Sequence, residues 1–257
     1  MVDEAALAAA ADALAGAGRV VVASGAGISK ESGVPTFREA QTGLWARYDP
    51  HELATPGAFR RDPDLVWQWY RMRRRLVEAV EPNPGHRAVA ALERLLPAVE
   101  VFTQNEDGPH VAAGSQTVVE LHGSLRRFKC SAGCRGEPTV IPFDALDAEA
   151  DHAPPCPHCG ARLRPDVVWF GEMLPPGALE RAYEAAEACG AMLVVGTSGV
   201  VQPAASLPVV ARRAGATVIE VNPVPTEISD VAHIVLRGPS GEMLPRLVEA
   251  VRARLNL

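Results

Sequence analysis

The stretch that decides the fold is Arg19–Arg38, RVVVASGAGISKESGVPTFR. It opens on Val20-Val21-Val22, three β-branched residues that favour a buried, pleated strand. The run breaks at Ser24-Gly25-Ala26-Gly27. A short apolar strand that runs into closely spaced glycines marks a backbone turning where a ligand comes close. Gly25 and Gly27 leave room for main-chain N–H groups to approach a phosphate, and a helix starting just after would add a favourable dipole. Two glycines alone also make an ordinary turn. The third glycine of the usual dinucleotide fingerprint is missing. Lys30 stands there, and the next glycine is Gly33, within Ser32-Gly33-Val34-Pro35-Thr36-Phe37-Arg38.

Outward from this stretch, apolar runs of strand length recur at Val99–Thr103, Thr117–Leu121, Val167–Phe170, Met192–Val195, Thr217–Val221 and His233–Leu236. Helical patterns separate them: Glu4–Ala17, Pro176–Cys189, Ala204–Ala214 and Gly241–Leu257. Such alternation predicts an α/β fold, a Rossmann-like parallel sheet with helices on both faces. Two stretches depart from it. Residues 46–85 are helical in composition, aromatic and basic, and punctuated by prolines. Residues 124–164 are rich in Pro, Gly and Cys and have little periodicity. The expected organisation is therefore a Rossmann-like domain from 1–45, 86–123 and 165–257, a helical module at 46–85 and a small ribbon at 124–164.

The 257 residues are 47% apolar and 22% charged, which suits a chain that buries a real core. The net charge of −6 does not suggest nucleic acid as a partner. No run of about 18 apolar residues occurs, so no membrane span is expected. The N-terminal segment carries Asp3, Glu4 and Asp12, lacks the basic start of a secretory signal, and reads as a first helix. Cysteine usage points to a reducing, cytoplasmic setting.

Four of the five cysteines fall in two close pairs, Cys130/Cys134 and Cys156/Cys159. Paired thiolates at this spacing close a tetrahedral zinc site in a ribbon. Sulfur at all four positions leaves none open, so one structural zinc is predicted. Free or disulfide-bonded cysteines are the other reading. Cys189, on an apolar helix face, reads as core.

Polar clusters follow several strands: Thr103-Gln104-Asn105-Glu106-Asp107-Gly108, Glu120-Leu121-His122-Gly123, Gly196-Thr197-Ser198, Glu220-Val221-Asn222 and Gly238-Pro239-Ser240. Open α/β sheets bind ligands past the carboxyl ends of their strands. Each cluster alone is equally an ordinary capped loop. His122 stands out because a short strand delivers it and Gly123 leaves room beside it.

Together these motifs resemble the sirtuins, the NAD-dependent protein lysine deacylases. The resemblance rests on Gly25-Ala26-Gly27-Ile28-Ser29, Gly33-Val34-Pro35-x-Phe37-Arg38, Thr103-Gln104-Asn105-x-Asp107, Glu120–Gly123 and the two cysteine pairs, and spans residues 19 to about 247. It implies NAD contacts from Gly25, Ala26, Gly27, Ile28, Ser29, Phe37, Arg38, Gln104, Asn105, Asp107, Gly196, Thr197, Ser198, Asn222 and Ser240. It implies His122 as general base, with Asn105 beside it in catalysis. Val168, Phe170 and Gly171, in Val168-Trp169-Phe170-Gly171-Glu172, resemble the segment that pairs with acylated-lysine protein substrates as an added strand. The implied products are free lysine, nicotinamide and O-acyl-ADP-ribose.

Tyr70 and Arg73 lie three apart, hence on one helical face. Tyr-x-x-Arg here resembles the sirtuin class that removes succinyl, malonyl and glutaryl groups, and Ala54 matches that class's enlarged acyl pocket. This implies a desuccinylase and demalonylase with weaker deacetylase activity. Two residues depart from the pattern. Glu106 replaces a β-branched apolar residue and brings a negative charge near the nicotinamide pocket, and Pro109 replaces a leucine and removes a backbone donor. Alternatives are a plain deacetylase, a mono-ADP-ribosyltransferase on the same NAD site, a non-enzymatic reader, or a member impaired by Glu106 and Pro109.

Overall fold

In the computed structural model, which describes residues 3–34, 50–142 and 147–257, the strand that follows Arg19 is β1 (Val20–Ser24) and it lies at the centre of the sheet. β2 (Val99–Thr103) and β3 (Val118–Glu120) extend the sheet on one side, and β7 (Ala191–Val195), β8 (Thr217–Val221) and β9 (Ile234–Leu236) on the other. The order is β3-β2-β1-β7-β8-β9, with every pairing parallel. Counting only these strands, the pattern is the 3-2-1-4-5-6 of doubly wound nucleotide-binding sheets. The direction of winding reverses between β1 and β7, and that is where a crevice opens.

Side chains alternate across the sheet, as the two-residue period of a strand requires. Val20 and Val22, with Leu193, Val195 and Ile219, pack against α1 (Glu4–Gly16), α5 (Pro84–Leu95) and α9 (Ser240–Leu255). Val21 and Ala23, with Met192, Val194 and Val218, face α7 (Ala178–Ala188) and α8 (Leu207–Arg213). Both faces are covered, so the strands carry no polar side. Each large side chain buried there contributes about 1.5–3 kcal/mol over leaving it exposed.

The helices start where their capping residues stand. Asp3 accepts from the N–H groups of Ala5 and Ala6 at α1. Asp62 accepts from Leu65 N–H at α4 (Pro63–Glu78), and Asn83 forms a capping box with His86 at α5; both helices begin on a proline, whose missing N–H costs nothing there.

A second sheet, antiparallel in the order β5-β4-β6, joins β5 (Val140–Ile141), β4 (Gly123–Cys130) and β6 (Leu163–Val167). It shares one apolar cluster with α3 (Pro56–Arg61) and α4, in which Phe59, Trp67, Trp69 and Tyr70 meet Phe128, Ile141, Leu163 and Trp169. The arginines of α4 fasten the same contact. Arg71 donates to Ala150 O at 2.9 Å and pairs with Asp151 at 2.7 Å, and Arg74 and Arg75 pair with Glu149.

Two predicted elements differ. The strand expected at Val167–Phe170 stops at Val167. Beyond it, Trp169 N–H turns to Glu172 Oε2 and Phe170 N–H to Ala54 O, both at 2.9 Å, so the ladder cannot continue. The helix expected at Ala204–Ala214 begins as a 3-10 turn, Ala204–Ser206, before α8. Among the described residues no helix is long and apolar enough to cross a membrane.

Candidate active site

The loops after β1, β2, β3, β7 and β8 meet at one edge of the sheet. Gly25 N–H donates to Val195 O at 3.0 Å, and Gly27 N–H to Gly196 O at 2.8 Å. These two bonds hold the β1 loop against the β7 loop. The glycines are required by that contact. A Cβ on Gly27 would lie 2.6 Å from Gly196 O, and one on Gly196, whose φ is +60°, would lie 2.4 Å from Ile28 N. The Ile28 side chain is fully buried in the core. Ala26 stands half-buried at the start of a 3-10 helix, Ala26–Ser32, that ends at Gly33 with φ +83°. Phe37 and Arg38 lie outside the described residues.

The β2 loop crosses in front of this turn. Gln104 N–H donates to Ser24 O at 2.9 Å, and its side chain donates to Thr197 Oγ1 at 3.2 Å. Asn105 is buried and donates to both Gly25 O and Ser29 Oγ at 3.2 Å. Asp107, also buried, bonds to Ser29; burial raises its carboxyl and that bond partly offsets the rise. Gly108, at φ +85°, turns the chain into α6 (Pro109–Ala112). Pro109 occupies the first helical position, where the N–H it lacks would have had no helical partner, so α6 loses no hydrogen bond to it. His110 of α6 reaches back to Ser24 Oγ at 2.9 Å, and its ring meets that of His86 edge-on at 5.1 Å.

His122 ends β3. Its Nδ1 lies 2.9 Å from Gln104 O. A carbonyl only accepts, so Nδ1 carries the hydrogen and Nε2 presents a lone pair. Burial pushes the imidazole below its ordinary range, and the hydrogen bond to Gln104 resists that shift. The residue holding His122 is also the one bonded to Ser24 and Thr197, which ties the imidazole to the glycine turn through one residue.

On the far side, Asn222 donates to Thr197 O at 3.1 Å, and Ser198 O accepts from Glu227 N–H at 3.3 Å. Ser240 is buried and donates to Glu31 Oε2 at 2.9 Å. Glu220 is fully enclosed by Thr226, Ser229 and Arg237.

A third group comes from the small sheet and α4. Val168 N–H donates to His122 O at 2.9 Å. Ala54 is buried and receives Phe170 N–H, Phe170 itself is 45% exposed, and Gly171 turns at φ +87°. Tyr70 is buried with its hydroxyl accepting from Trp169 Nε1 at 2.9 Å; burial, and then the Glu106 charge, push its phenol well up. The Arg73 guanidinium stacks 5.0 Å over the Trp69 ring and 5.3 Å over the Tyr70 ring. Its Nη2 lies 3.1 Å from Glu106 Oε2. Sequence reasoning named Glu106 only as an added charge. The pairing, and the place of Trp169 beside Tyr70, join segments far apart in the chain and leave no local signal.

The four paired cysteines come together, with all four sulfurs within 4.8 Å of one another. Cys130 and Cys159 are 3.5 Å apart, and Cys134 and Cys156 3.9 Å. A tetrahedron with metal–sulfur arms of about 2.3 Å has edges of about 3.8 Å, so the set fits one zinc ion with no position left for substrate. No disulfide links them.

A doubly wound sheet, a glycine turn locked to a second loop, a neutral imidazole at the same edge and a closed zinc site define a dinucleotide-using enzyme with a structural metal. Residues 25–203 match the Sir2 family. The chain is 52% identical to NAD-dependent protein deacylase 2 of Pyrobaculum aerophilum over 96% of each chain. It is 50% identical to NAD-dependent protein deacylase 1 of Pseudomonas aeruginosa over 91% of this chain and 95% of that one. A Sir2 homologue in complex with NAD superposes with a TM-score of 0.88 at 44% identity, covering 98% of this chain and 95% of that one. Sir2Af2 bound to a myristoylated histone peptide superposes at 0.79 with 36% identity and 99% coverage of both. The chain belongs to the Sir2 family, the sirtuins.

Proposed function

We propose that this chain removes acidic acyl groups, succinyl and malonyl, from protein lysines, and acetyl more weakly. The underlying activity is NAD-dependent protein deacylation: the relatives that match nearly the whole chain are NAD-dependent protein deacylases. NAD supplies an electrophilic ribose carbon and carries the acyl group away. His122 takes a proton from a ribose hydroxyl at Nε2, and the Nδ1 hydrogen bond keeps that nitrogen free and aimed. Asn105 and Asp107, held by Gly25 and Ser29, position the nicotinamide end, and Thr197, Ser198, Asn222 and Ser240 lie toward the nucleotide's far end. The acylated peptide runs beside Val168–Gly171, and its lysine side chain enters between Ala54, Tyr70 and Arg73.

One observation carries the acyl preference. A guanidinium, stacked on two aromatic rings and only 18% exposed, sits on the same helix face as a buried phenol. A mostly buried charged fork suits an acyl chain that ends in a carboxylate. The test is kinetics on one peptide carrying either succinyl- or acetyl-lysine. Arg73→Met should lower kcat/KM on succinyl-lysine by about tenfold or more relative to acetyl-lysine, as expected for a charge-assisted pair of ~1.5–3 kcal/mol. Arg73→Met leaving the succinyl-to-acetyl ratio unchanged would refute the preference.

A further inference from the structure

We propose that Glu106 sets the acyl specificity of this site: its carboxylate holds Arg73 when no acidic substrate is present, so an acidic acyl group gains the guanidinium only by displacing it. The inference rests on the acidic-acyl reading above and adds a residue that opposes it.

Arg73 and Glu106 come from opposite sides of the site. Arg73 is on α4, and Glu106 is on the β2 loop between Asn105 and Asp107, which are bonded to the glycine turn. The Glu106 main chain is fixed, since its carbonyl accepts from Leu125 N–H of β4 at 2.8 Å. Its side chain therefore points across the acyl pocket from a rigid base. The two charged groups approach to 3.1 Å, with side chains only 18% and 17% exposed.

The contact is close but unsaturated. Glu106 Oε2 meets Arg73 Nη2 as an ion pair, and its hydrogen-bond geometry is not ideal. Burial raises the Glu106 carboxyl, and Arg73 is the first group that pulls it back down. A succinyl or malonyl terminus has the same charge and planar shape as this carboxylate. One guanidinium then has two claimants, and Glu106 holds the advantage of being tethered beside it. For a neutral acyl chain the pair is already neutralised, and no competition arises. Glu106 thus shifts the chain toward neutral acyl groups, while Tyr70 and Arg73 remain in place for acidic ones.

The test compares wild type, Glu106→Gln, Arg73→Met and the double variant, by NAD-dependent removal of succinyl and acetyl from the same peptide. Glu106→Gln keeps the shape and removes the charge. It should raise the succinyl-to-acetyl ratio of kcat/KM by about tenfold or more, mainly through a lower KM for the succinyl peptide. In the Arg73→Met background the same change should leave the ratio unmoved. Glu106→Val, which restores an apolar β-branched residue, should act like Glu106→Gln and keeps the test valid if the amide folds poorly. A ratio within about twofold of wild type in both Glu106 variants, while Arg73→Met still lowers it, overturns this inference and leaves the acidic-acyl reading standing. If Arg73→Met moves the ratio in neither background, the acidic-acyl reading falls, and this inference with it.

Discussion

At the residue scale the behaviour of His122 follows from one hydrogen bond and one degree of burial. Its Nδ1 hydrogen is committed to Gln104 O, and burial lowers the imidazole below its ordinary 6.5. A base works only unprotonated, so its contribution is full above the lowered value and is lost as pH falls through it. The acid limb of kcat/KM against pH should therefore lie below 6.5, with no inflection from this group between pH 7 and 8. His122→Asn should lower kcat/KM by roughly 10²–10⁴-fold, while calorimetry still detects NAD. An acid limb at or above 6.5 would remove His122 as the base. His122 stands out in the sequence because it follows a short strand and precedes a glycine. Glu106 was legible only as an oddity. Its partner Arg73 lies in a different segment, and an ion pair between segments leaves no trace in either one.

At the scale of elements, the glycine turn stands where the sequence places it, directly after β1. A strand followed by Gly25 and Gly27 does mark a close approach, and the Gly196 backbone is one group that makes it. Sequence gives no way to tell a ligand from another loop, because both demand the same missing side chain. Gly27→Ala places a Cβ against backbone, which cannot rotate away as a side chain can. It should cost about 1–3 kcal/mol in denaturant unfolding and weaken NAD binding. Unchanged unfolding would show that the two loops part easily. The zinc ribbon reaches the site as well: β4 holds the Glu106 carbonyl through Leu125, and the segment after β6 holds His122 O through Val168. Stripping zinc with a chelator should speed hydrogen exchange in β4 and β6 and abolish turnover, with zinc content following both. Full turnover by metal-free protein would refute this coupling. The cysteine spacing announced the metal. What it could not announce was which strands the metal would steady.

For the whole molecule the alternation of apolar runs was enough to give a parallel sheet covered by helices on both faces, though not the order of its strands. It did not give the contact between residues 53–77 and 125–169. The helical face of α4 gives no hint of its partner, the small sheet gives little period of its own, and their apolar side chains find each other only in three dimensions. The polar interior also acts on the whole chain. His86 and His110 are buried between Ser24 and Ser29. Burial pushes His86 down from 6.5 to about 4, and His110 lower still. Both are neutral in the folded chain at pH 7. As pH falls below 6.5 the unfolded chain takes up protons that the folded chain refuses, so stability is full above 6.5 and declines toward pH 4. His86 alone should account for a loss on the order of 2 kcal/mol by pH 4.5, read as a falling midpoint in urea. His86→Gln should flatten that slope. The shared apolar cluster has one more consequence. The small lobe is stitched from two separate excursions of the chain, and neither carries a complete interior. A fragment spanning residues 46–85, or one spanning 124–164, should express as unfolded polypeptide, and a protease that nicks one excursion should loosen the other.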